Sequence, residues 1–311
     1  MAATTLAPLG TLYGASVAWK RRRSDPYRAA IPVICVGNLS VGGTGKTPVA
    51  MAIAGLLQQE GASPAFLLRG YGRKGSKALV VDGESQDSST VGDEALLLAR
   101  VAPTIVAIDR AAGARLAETR GVQIIIMDDG HQNFSLHKDL SLVVVDGETG
   151  FGNGRIVPAG PLREPVKRGL RRADAVVLMG DGEPPLPGFQ GSVLRARLSA
   201  TKRLDNRRVV AFAGIGRPEK FFATLRECGA EIVETHAYPD HHNYTAADIA
   251  RLRSRAAASN AALITTEKDF VRLAPRERES IEVLPVRAIF RDETTITKLI
   301  APLTTRATAE T

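Results

Sequence analysis

Residues 40–47, Ser-Val-Gly-Gly-Thr-Gly-Lys-Thr, combine glycines with a Lys-Thr pair in the pattern of a phosphate-binding loop, or P-loop. They follow the apolar run 31–36 and precede residues 48–59, whose composition favours a helix. In such an arrangement the loop N–H groups and the helix N-terminus face an anionic phosphate. Lys46 would reach the β- and γ-phosphates of a nucleotide, and Thr47 would bind Mg²⁺. A glycine-rich turn without this function is the alternative.

The loop departs from the usual pattern at one position, because Ser40 stands where the first glycine is expected. Three other glycines keep the backbone flexible, so the departure weakens the prediction only slightly. The predicted nucleotide-binding residues are Ser40, Val41, Gly42, Gly43, Thr44, Gly45, Lys46 and Thr47.

A second motif is the apolar run 122–127, which ends in Asp128 and Asp129. It is typical of a buried parallel strand that carries carboxylates at its C-terminal end. Beside a P-loop this is the Walker-B arrangement, in which an Asp holds Mg²⁺ directly or through water. Paired Asp residues also occur in ordinary turns. Because these follow a P-loop, we interpret them, together with Thr47, as a magnesium site.

Charged groups in two further segments are candidates for catalysis. Asp93 lies at the start of a predicted helix, where an acidic residue complements the helix dipole or, alternatively, acts as a base. Arg163 and Glu164 lie in the Gly/Pro-rich segment 150–165. Arg163 could stabilise charge on a transferred phosphoryl group, and Glu164 could orient that arginine or a metal. A surface Arg–Glu pair is the alternative.

Other polar side chains are weaker candidates. Arg69, Tyr71 and Arg73 follow a predicted strand, where loops line the ligand crevice of an open α/β sheet. They could contact a phosphate or a sugar, or they could be exposed residues of a glycine-rich turn. A short stretch also holds three of the five histidines. These are His236, His241 and His242, which lack metal-ligand spacing and suggest a catalytic histidine or a solvated loop.

Composition favours a protein with an anionic partner. The chain has 311 residues, a net charge of +8 and a pI of about 9.7. A phosphorylated substrate, an anionic lipid surface and nucleic acid all satisfy this charge. Aromatic residues make up only 5% of the chain and do not alternate with basic ones, which argues against nucleic acid. Cys35 and Cys228 lack metal or redox spacing, and we interpret them as buried structural thiols.

Apolar runs alternate with helix-forming segments, which predicts an α/β fold with parallel strands that end near the motifs. The Pro/Gly-dense residues 180–190 are interpreted as a linker. We therefore expect a P-loop domain at 1–190 and a smaller α/β domain at 191–311. The segment after Asp292 could pack on either one.

The first 23 residues suggest a surface helix. Leu9, Leu12, Tyr13 and Val17 recur at helical spacing, and Trp19 precedes a basic cluster at 20–23. An apolar face that ends in an aromatic and basic residues suits a membrane interface. A helix packed on its own domain is the alternative.

Taken together, the segments resemble the tetraacyldisaccharide 4'-kinase family of lipid A biosynthesis. The resemblance runs from about Tyr13 to Leu299 in the family's order, and the blocks Gly-Thr-Gly-Lys-Thr-Pro and Pro-Ala-Gly-Pro-Leu-Arg-Glu are its most specific parts. The stretches that carry it are 36–48, 68–73, 92–94, 128–132, 158–165, 212–218, 240–241 and 264–269. The chain departs from the family at His131, Gln132 and Asn133, where a hydrophobic residue and Gln-His are usual, so His131 inherits no role.

The resemblance implies ATP- and Mg²⁺-dependent phosphorylation of the 4'-hydroxyl of a tetraacyl glucosamine disaccharide 1-phosphate. It also implies a P-loop NTPase-like α/β/α domain and a second, smaller α/β/α domain, joined by a short β linker. Because Asp93 and His241 fall in different predicted domains, we expect domain closure to assemble them. By position, the resemblance implies that Asp93 is the base and His241 its partner. It implies that Lys46 and Thr47 bind the nucleotide and Mg²⁺, and that Asp128 and Asp129 bind the metal. Arg163 and Glu164 would contact the γ-phosphate region.

The implied partners are the lipid A disaccharide precursor and the anionic surface of the inner membrane. A peripheral position at the cytoplasmic face is expected, with no nucleic acid and no obligate protein partner. The acyl chains of such an acceptor stay in the membrane, which favours a docking role for residues 1–23. The alternative function is a P-loop ATPase switch of the partitioning or nitrogenase-reductase type. Such proteins usually carry a lysine near the start of the loop, where this chain has Ser40 and Val41.

Overall fold

The computed structural model describes residues 6–70, 75–83 and 85–309 of the chain. Tyr71 and Arg73, two of the weaker candidates, lie outside these ranges. The strands are β1 (Val33–Gly37), β2 (Pro64–Leu68), β3 (Leu79–Val80), β4 (Thr104–Val106), β5 (Ile124–Asp128), β6 (Leu140–Asp146), β7 (Ala175–Met179), β8 (Ser192–Ala200), β9 (Arg208–Ala213), β10 (Glu231–Ala237), β11 (Ala262–Thr266), β12 (Ile281–Leu284) and β13 (Val286–Phe290). The α-helices are α1 (Ala7–Arg22), α2 (Lys46–Gln59), α3 (Ser88–Val91), α4 (Asp93–Leu98), α5 (Arg110–Glu118), α6 (Val166–Leu170), α7 (Pro218–Glu227), α8 (Ala246–Ala258), α9 (Glu267–Arg272) and α10 (Glu293–Ala309).

Nine strands form the larger sheet, in the order β13-β8-β7-β6-β1-β5-β2-β4-β3. Its strands are parallel except for the pairs β3–β4 and β8–β13 at the two edges. The strand before the predicted P-loop, β1, lies between β5 and β6. Because parallel strands end at the same edge, this order brings the loop after β1 beside the carboxylates that end β5. The predicted α/β class is confirmed.

Side chains of β1 alternate between two buried clusters, as the period of a strand requires. Ile34 and Val36 face the cluster that also contains residues of α2, α4 and α10. Cys35 faces the opposite cluster, which contains residues of α5. The larger sheet is therefore covered on both faces. Cys35 and Cys228 are buried free thiols, as predicted.

Four parallel strands form the smaller sheet, in the order β10-β9-β11-β12. Helix α7 packs on one face of β9 through Phe222 and Leu225, and α8 packs on the other through Ile249 and Leu252. We call residues 201–285 the smaller unit and the elements around the nine-stranded sheet the larger unit.

The change between sheets comes later in the chain than the expected boundary after residue 190. Residues 180–190 are not an interdomain linker, because they connect β7 to its parallel neighbour β8 within the larger sheet. After the smaller sheet, β13 returns to pair with β8 in antiparallel register, with Val286 opposite Ala200. Helix α10 then packs on the larger sheet through Ile296 and Ile300.

Helix α1 lies on the loop that follows β6. Gly10 and Gly14 allow this approach, because a Cβ at Gly10 would lie 2.8 Å from the carbonyl oxygen of Ile156. The opposite side exposes apolar groups, with Leu12 68% and Trp19 55% exposed. In the part of the chain that is described, no helix has both the length and the apolar character needed to cross a bilayer.

Candidate active site

The P-loop connects β1 to the first turn of α2. Gly45 caps the helix with φ of 89°, a left-handed conformation that favours glycine. A Cβ at Gly45 would also approach Met179 to 3.1 Å. The N–H of Val41 donates to the carbonyl oxygen of Pro161 at 2.7 Å, so the loop is fixed to segment 150–165. The predicted strand, turn and helix around residues 40–47 are present.

The paired aspartates lie where β5 ends, beside the start of α2. The hydroxyl of Thr47 donates to Oδ2 of Asp128 at 2.8 Å, whereas the buried Oδ1 of Asp128 has no hydrogen-bond partner. Burial raises the pKa of Asp128 to about 7, and the negative charge of Glu94 contributes further. A buried carboxylate oxygen without a donor, next to a hydroxyl, suits a hard cation such as Mg²⁺.

The second aspartate, Asp129, contacts two basic side chains of the site. Oδ1 of Asp129 lies 2.7 Å from Nη1 of Arg163 and 3.8 Å from Nζ of Lys46. Burial alone would raise the pKa of Asp129, but the charges of Lys46 and Arg163 outweigh it and hold the pKa below its usual range. The structure thus brings together Lys46, Asp128, Asp129 and Arg163, which are far apart in the sequence.

Glu164 lies beside this group and is held by other residues. It is 1% exposed, and its carboxylate accepts from Arg172 at 2.6 and 2.9 Å and from the amide of Gln132 at 3.0 Å. Burial raises its pKa, but the bond and charge of Arg172 lower it below the usual range. Gln132 also donates to the carbonyl oxygen of Asn38 at 2.9 Å. Glu164 therefore lies in a buried ion pair that supports the P-loop, and its partner is Arg172 rather than Arg163.

Asp93 and His241 meet between the two units. Asp93 is the first residue of α4, and Oδ2 of its carboxylate lies 3.1 Å from Nδ1 of His241, in the loop after β10. His241 has a φ of 58°, and its N–H donates to the carbonyl oxygen of Gly214 at 3.1 Å. The two residues that the resemblance paired are thus in contact.

Two cationic side chains approach Asp93 from α9. Arg272 donates to Oδ2 through Nε at 2.8 Å, and Nζ of Lys268 lies 4.0 Å from the same oxygen. Burial alone would raise the pKa of Asp93, but Lys268, Arg272 and His241 together hold it below its usual range. Asp93 is therefore an ionised carboxylate at neutral pH.

The remaining histidines do not join these groups. His236 contacts Glu234 at 2.9 Å, and His242 stacks on Tyr238 with 4.6 Å between ring centroids. Among the residues that the structure describes, no group of three or more His, Cys, Asp or Glu side chains could hold a metal. A magnesium site here would therefore use Thr47, the aspartates and phosphate oxygens, as P-loop sites do.

His131 is a structural residue. Its Nδ1 lies 3.2 Å from the hydroxyl of Ser141 and its Nε2 lies 3.1 Å from the carbonyl oxygen of Gly169. Nε2 must donate to the carbonyl, so a neutral ring accepts from the hydroxyl of Ser141 at Nδ1. Burial lowers the pKa of His131 to about 3, in agreement with this state.

A second set of ion pairs joins the units at the end of β6. Asp146 lies 3.0 Å from Nη1 of Arg217 and 3.1 Å from Nζ of Lys220, at the start of α7. Lys220 also contacts Glu148 at 3.0 Å. We call these four residues the Asp146 clasp.

Comparison with known proteins agrees with this geometry. The family model described as tetraacyldisaccharide-1-P 4'-kinase matches residues 2–304. The chain belongs to this family. The tetraacyldisaccharide 4'-kinase of Paramagnetospirillum magneticum is 50% identical over 97% of this chain and 95% of its own length. The protein of the same name from Rhodospirillum rubrum is 48% identical over 96% and 93%.

A solved structure supports the same assignment. LpxK from Aquifex aeolicus, crystallised in complex with ATP, matches with a TM-score of 0.79 and 28% identity over 98% of this chain and all of that one. Membership of the tetraacyldisaccharide-1-P 4'-kinase family confirms the predicted enzyme class, an ATP-dependent kinase of lipid A biosynthesis. The alternative, a partitioning-type ATPase switch, is not favoured.

Several residues of the 4'-kinase site were not predicted. Arg172 and Gln132 hold Glu164, and Lys268 and Arg272 reach Asp93. Lys268 lies in the stretch 264–269 and Gln132 in 128–132, both of which carry the resemblance, but the sequence assigns neither residue a role. Nothing in the spacing of Arg172 or Arg272 indicates a partner, because both contacts depend on the tertiary fold.

Proposed function

We propose that the chain transfers the γ-phosphate of ATP to the 4'-hydroxyl of a tetraacyl glucosamine disaccharide 1-phosphate, with Asp93 as the base. The observation that carries this proposal is the contact between Asp93 and His241, which lie 3.1 Å apart. Asp93 belongs to the larger unit, which also contains the P-loop. Family membership supports the substrate class.

On the nucleotide side, the N–H groups of residues 40–47 and the N-terminus of α2 hold the phosphates. Lys46 places its ammonium on the β- and γ-phosphates, and Thr47 with Asp128 and Asp129 would hold Mg²⁺. When bound, that ion supplies neutralisation of the phosphate oxygens. The unpaired Oδ1 of Asp128 supports this assignment.

Arg163 is proposed to stabilise the charge that spreads over the transferred phosphoryl group. Its guanidinium is already aimed at the site by Asp129, 2.7 Å away. Glu164 is proposed to position Arg163 indirectly. The buried ion pair of Glu164 with Arg172 fixes the segment that carries Arg163. Both roles fit a reaction that depends on positioning and charge more than on covalent chemistry.

On the acceptor side, Oδ2 of Asp93 accepts the proton of the 4'-hydroxyl while the hydroxyl oxygen bonds to the γ-phosphorus. The bond between that phosphorus and the β–γ bridging oxygen breaks, and ADP leaves. An ionised Asp is a weak base, and a bond to the imidazole of His241 orients the carboxylate and shares the proton. Since the dyad is divided between the units, their closure assembles it and limits transfer to water. We further propose that the smaller unit moves on β8 and β13 as the hinge.

Helix α1 is proposed to dock on the anionic cytoplasmic face of the inner membrane. Its exposed Leu9, Leu12 and Trp19 present an apolar surface, and its last turn carries Lys20, Arg21 and Arg22. Apolar and basic groups on one exposed helix are the combination that binds an anionic bilayer surface. The acceptor would then be taken from the membrane while its acyl chains remain there.

Incubation with γ-labelled ATP, Mg²⁺ and the tetraacyldisaccharide 1-phosphate in mixed micelles tests the proposal. We expect label in the lipid, at the 4' position by tandem mass spectrometry. The matched control is Lys46→Met, which removes the phosphate-binding ammonium and should abolish transfer. Label that stays in nucleotide and free phosphate under every detergent condition would contradict the kinase function.

A further inference from the structure

Arg272 is held rigidly within the smaller unit. Its side chain is 3% exposed, and its Nη1 donates to the carbonyl oxygen of Gly214 at 2.6 Å and to Oδ1 of Asp269 at 3.0 Å. Asp269 is fully buried and also accepts from the N–H of Gly214 and the hydroxyls of Tyr244 and Thr266. The guanidinium therefore has little freedom to change its direction.

The other edge of this guanidinium points out of the smaller unit toward the carboxylate of Asp93. Nε and Nη2 of Arg272 lie 2.8 and 2.5 Å from Oδ2 of Asp93. Nη2 is also 3.2 Å from Nδ1 of His241. Arg272 thus touches both members of the dyad, while α9 packs against α4.

These contacts constrain the Asp93 carboxylate at both oxygens. Oδ1 accepts from the N–H of Glu94 at 2.9 Å, and Oδ2 receives Arg272 and His241. Without Arg272, the remaining side chain within hydrogen-bond distance of the carboxylate is His241, a half-exposed residue on a loop. A guanidinium fixes carboxylate orientation better than a single donor because its N–H groups form a rigid fork.

We infer that Arg272 is a positioning residue of the phosphoryl transfer: it orients the Asp93 carboxylate toward the acceptor when the units close. This inference rests on the proposed role of Asp93 as base. The charged groups that face Asp93 are Lys268, Arg272 and His241 from the smaller unit and Glu94 from its own helix, with Asp240 and Asp269 behind them.

Arg272 is chosen over Lys268 for two reasons. Nζ of Lys268 lies 4.0 Å from Asp93 and 3.7 Å from Glu94, so its charge is shared and its geometry is loose. Arg272 is instead nearly inaccessible to solvent and has a buried carboxylate behind it.

The experiment compares Arg272→Gln and Arg272→Lys with the wild-type protein in the lipid kinase assay from pH 5.5 to 9. Arg272→Gln should lower kcat roughly 100-fold, the usual cost of misplacing a catalytic group by about 1 Å, with the KM for ATP unchanged. The pKa of Asp93 lies below this pH range in the wild type, and loss of the cation raises it. The ratio of wild-type to Arg272→Gln kcat should therefore grow as the pH falls toward 5.5. Arg272→Lys should keep the wild-type pH dependence and recover part of kcat.

Arg253→Gln is the matched control. Arg253 is also partly buried in the smaller unit, but it bonds to Glu277 and to the backbone of Glu279, away from Asp93. Its pH profile should equal that of the wild type. Melting temperature and ATP binding of each variant show whether it is folded.

The outcomes separate the two hypotheses. If the folded Arg272→Gln protein keeps the wild-type kcat, or loses activity by the same factor at every pH, Arg272 only joins the units and the inference is wrong. If the wild-type protein does not phosphorylate the lipid at all, the proposed function fails instead.

Discussion

Oδ2 of Asp93 and Nδ1 of His241 lie 3.1 Å apart, although 148 positions separate the two residues in the chain. One belongs to a helix beside the P-loop and the other to a loop of the smaller unit. This contact and the Asp146 clasp both join the larger unit to the smaller one, so the two units are closed against each other. The proposed catalytic pair is therefore complete only when both units are together.

Asp93→Asn should lower kcat by roughly 10² to 10⁴, because the amide has the size of the carboxylate but accepts no proton. ATP affinity should stay near the wild-type value, since no phosphate-binding group changes. His241→Gln should lower kcat less. The double variant should lose about as much as Asp93→Asn alone, as expected of residues that act as a unit. Steady-state kinetics and ATP titration calorimetry measure these effects.

His236→Gln is the control for the dyad. His236 lies on β10 and contacts Glu234, so its loss leaves Asp93 untouched. A kcat near the wild-type value for Asp93→Asn would remove Asp93 as the base, whatever His241→Gln shows.

Magnesium binding should depend on pH near neutrality. Because burial holds the pKa of Asp128 at about 7, the metal-free site is largely protonated at pH 6 and ionised at pH 8. The affinity for Mg²⁺ in the presence of an ATP analogue should therefore rise with pH through this range, with proton release at the lower pH. Calorimetry in buffers of different ionisation enthalpy measures both quantities.

The same raised pKa has a consequence for stability. Between about pH 4 and pH 7 the unfolded chain ionises Asp128 while the folded, metal-free protein retains the proton, so the free energy of unfolding should fall as pH rises. Asp128→Asn should remove this contribution, and Asp146→Asn should retain it. Equal pH slopes for the wild type and Asp128→Asn in thermal melts would argue against a raised pKa.

Arg163→Ala should lower kcat about 10²- to 10³-fold, the usual cost of removing one donor that stabilises transition-state charge. Arg163→Lys should restore only part of the loss, because an ammonium lacks the guanidinium fork that meets Asp129. The exposed Arg168→Lys is the control. Rates of single turnover, measured by rapid quench, isolate the chemical step; an unchanged rate in Arg163→Ala would exclude the role.

Membrane docking should require the end of α1. Replacing Lys20, Arg21 and Arg22 by serine should weaken binding to anionic vesicles roughly 100-fold, at about 1 kcal/mol per basic residue. Trp19→Ala should weaken binding to neutral and anionic vesicles alike. Vesicle flotation at low salt measures both.

The matched control for charge replaces Lys202, Arg207 and Arg208 by serine. This variant loses three positive charges from the smaller unit, where Lys202 and Arg207 pair with Glu282 and Arg208 pairs with Glu231. If both triple variants bind vesicles equally, the net charge of the protein explains the attraction and α1 has no special role.

The Asp146 clasp should contribute to closure but little to overall stability. Its partners Arg217 and Lys220 are 38% and 47% exposed, and ion pairs of this kind contribute up to about 1 kcal/mol. Asp146→Asn should therefore shift the melting temperature only slightly while increasing the radius of gyration in small-angle scattering. A scattering curve equal to that of the wild type would show that the clasp does not hold the units together.

The nucleotide half of the site was predictable from the sequence because its parts are local. The spacing of Gly45, Lys46 and Thr47 fixes a loop and a helix start, and the apolar run before Asp128 fixes a buried strand. The contact between Thr47 and Asp128 then follows from the order of parallel strands.

The acceptor half was predicted only through the family resemblance. No local pattern pairs Asp93 with His241, and Arg272 is 179 positions from the carboxylate it contacts. Such contacts arise from the way two sheets face each other. The expected boundary after residue 190 cuts through the larger sheet for a similar reason. Strand β8 alternates apolar residues with Arg195 and Arg197, and its position beside β7 depends on pairing with that strand.

The return of β13 beside β8 makes the smaller unit an insertion. The N–H of Thr201 donates to the carbonyl oxygen of Pro285 at 3.0 Å, so the two ends of the inserted segment are hydrogen-bonded neighbours. A tight hairpin could replace residues 202–284 without moving either strand. The larger unit, which holds both the P-loop and Asp93, would then be a contiguous scaffold. The inserted segment brings His241 and Arg272 to Asp93 from one edge of the sheet, so the scaffold without it would keep the nucleotide site and lose both of these contacts.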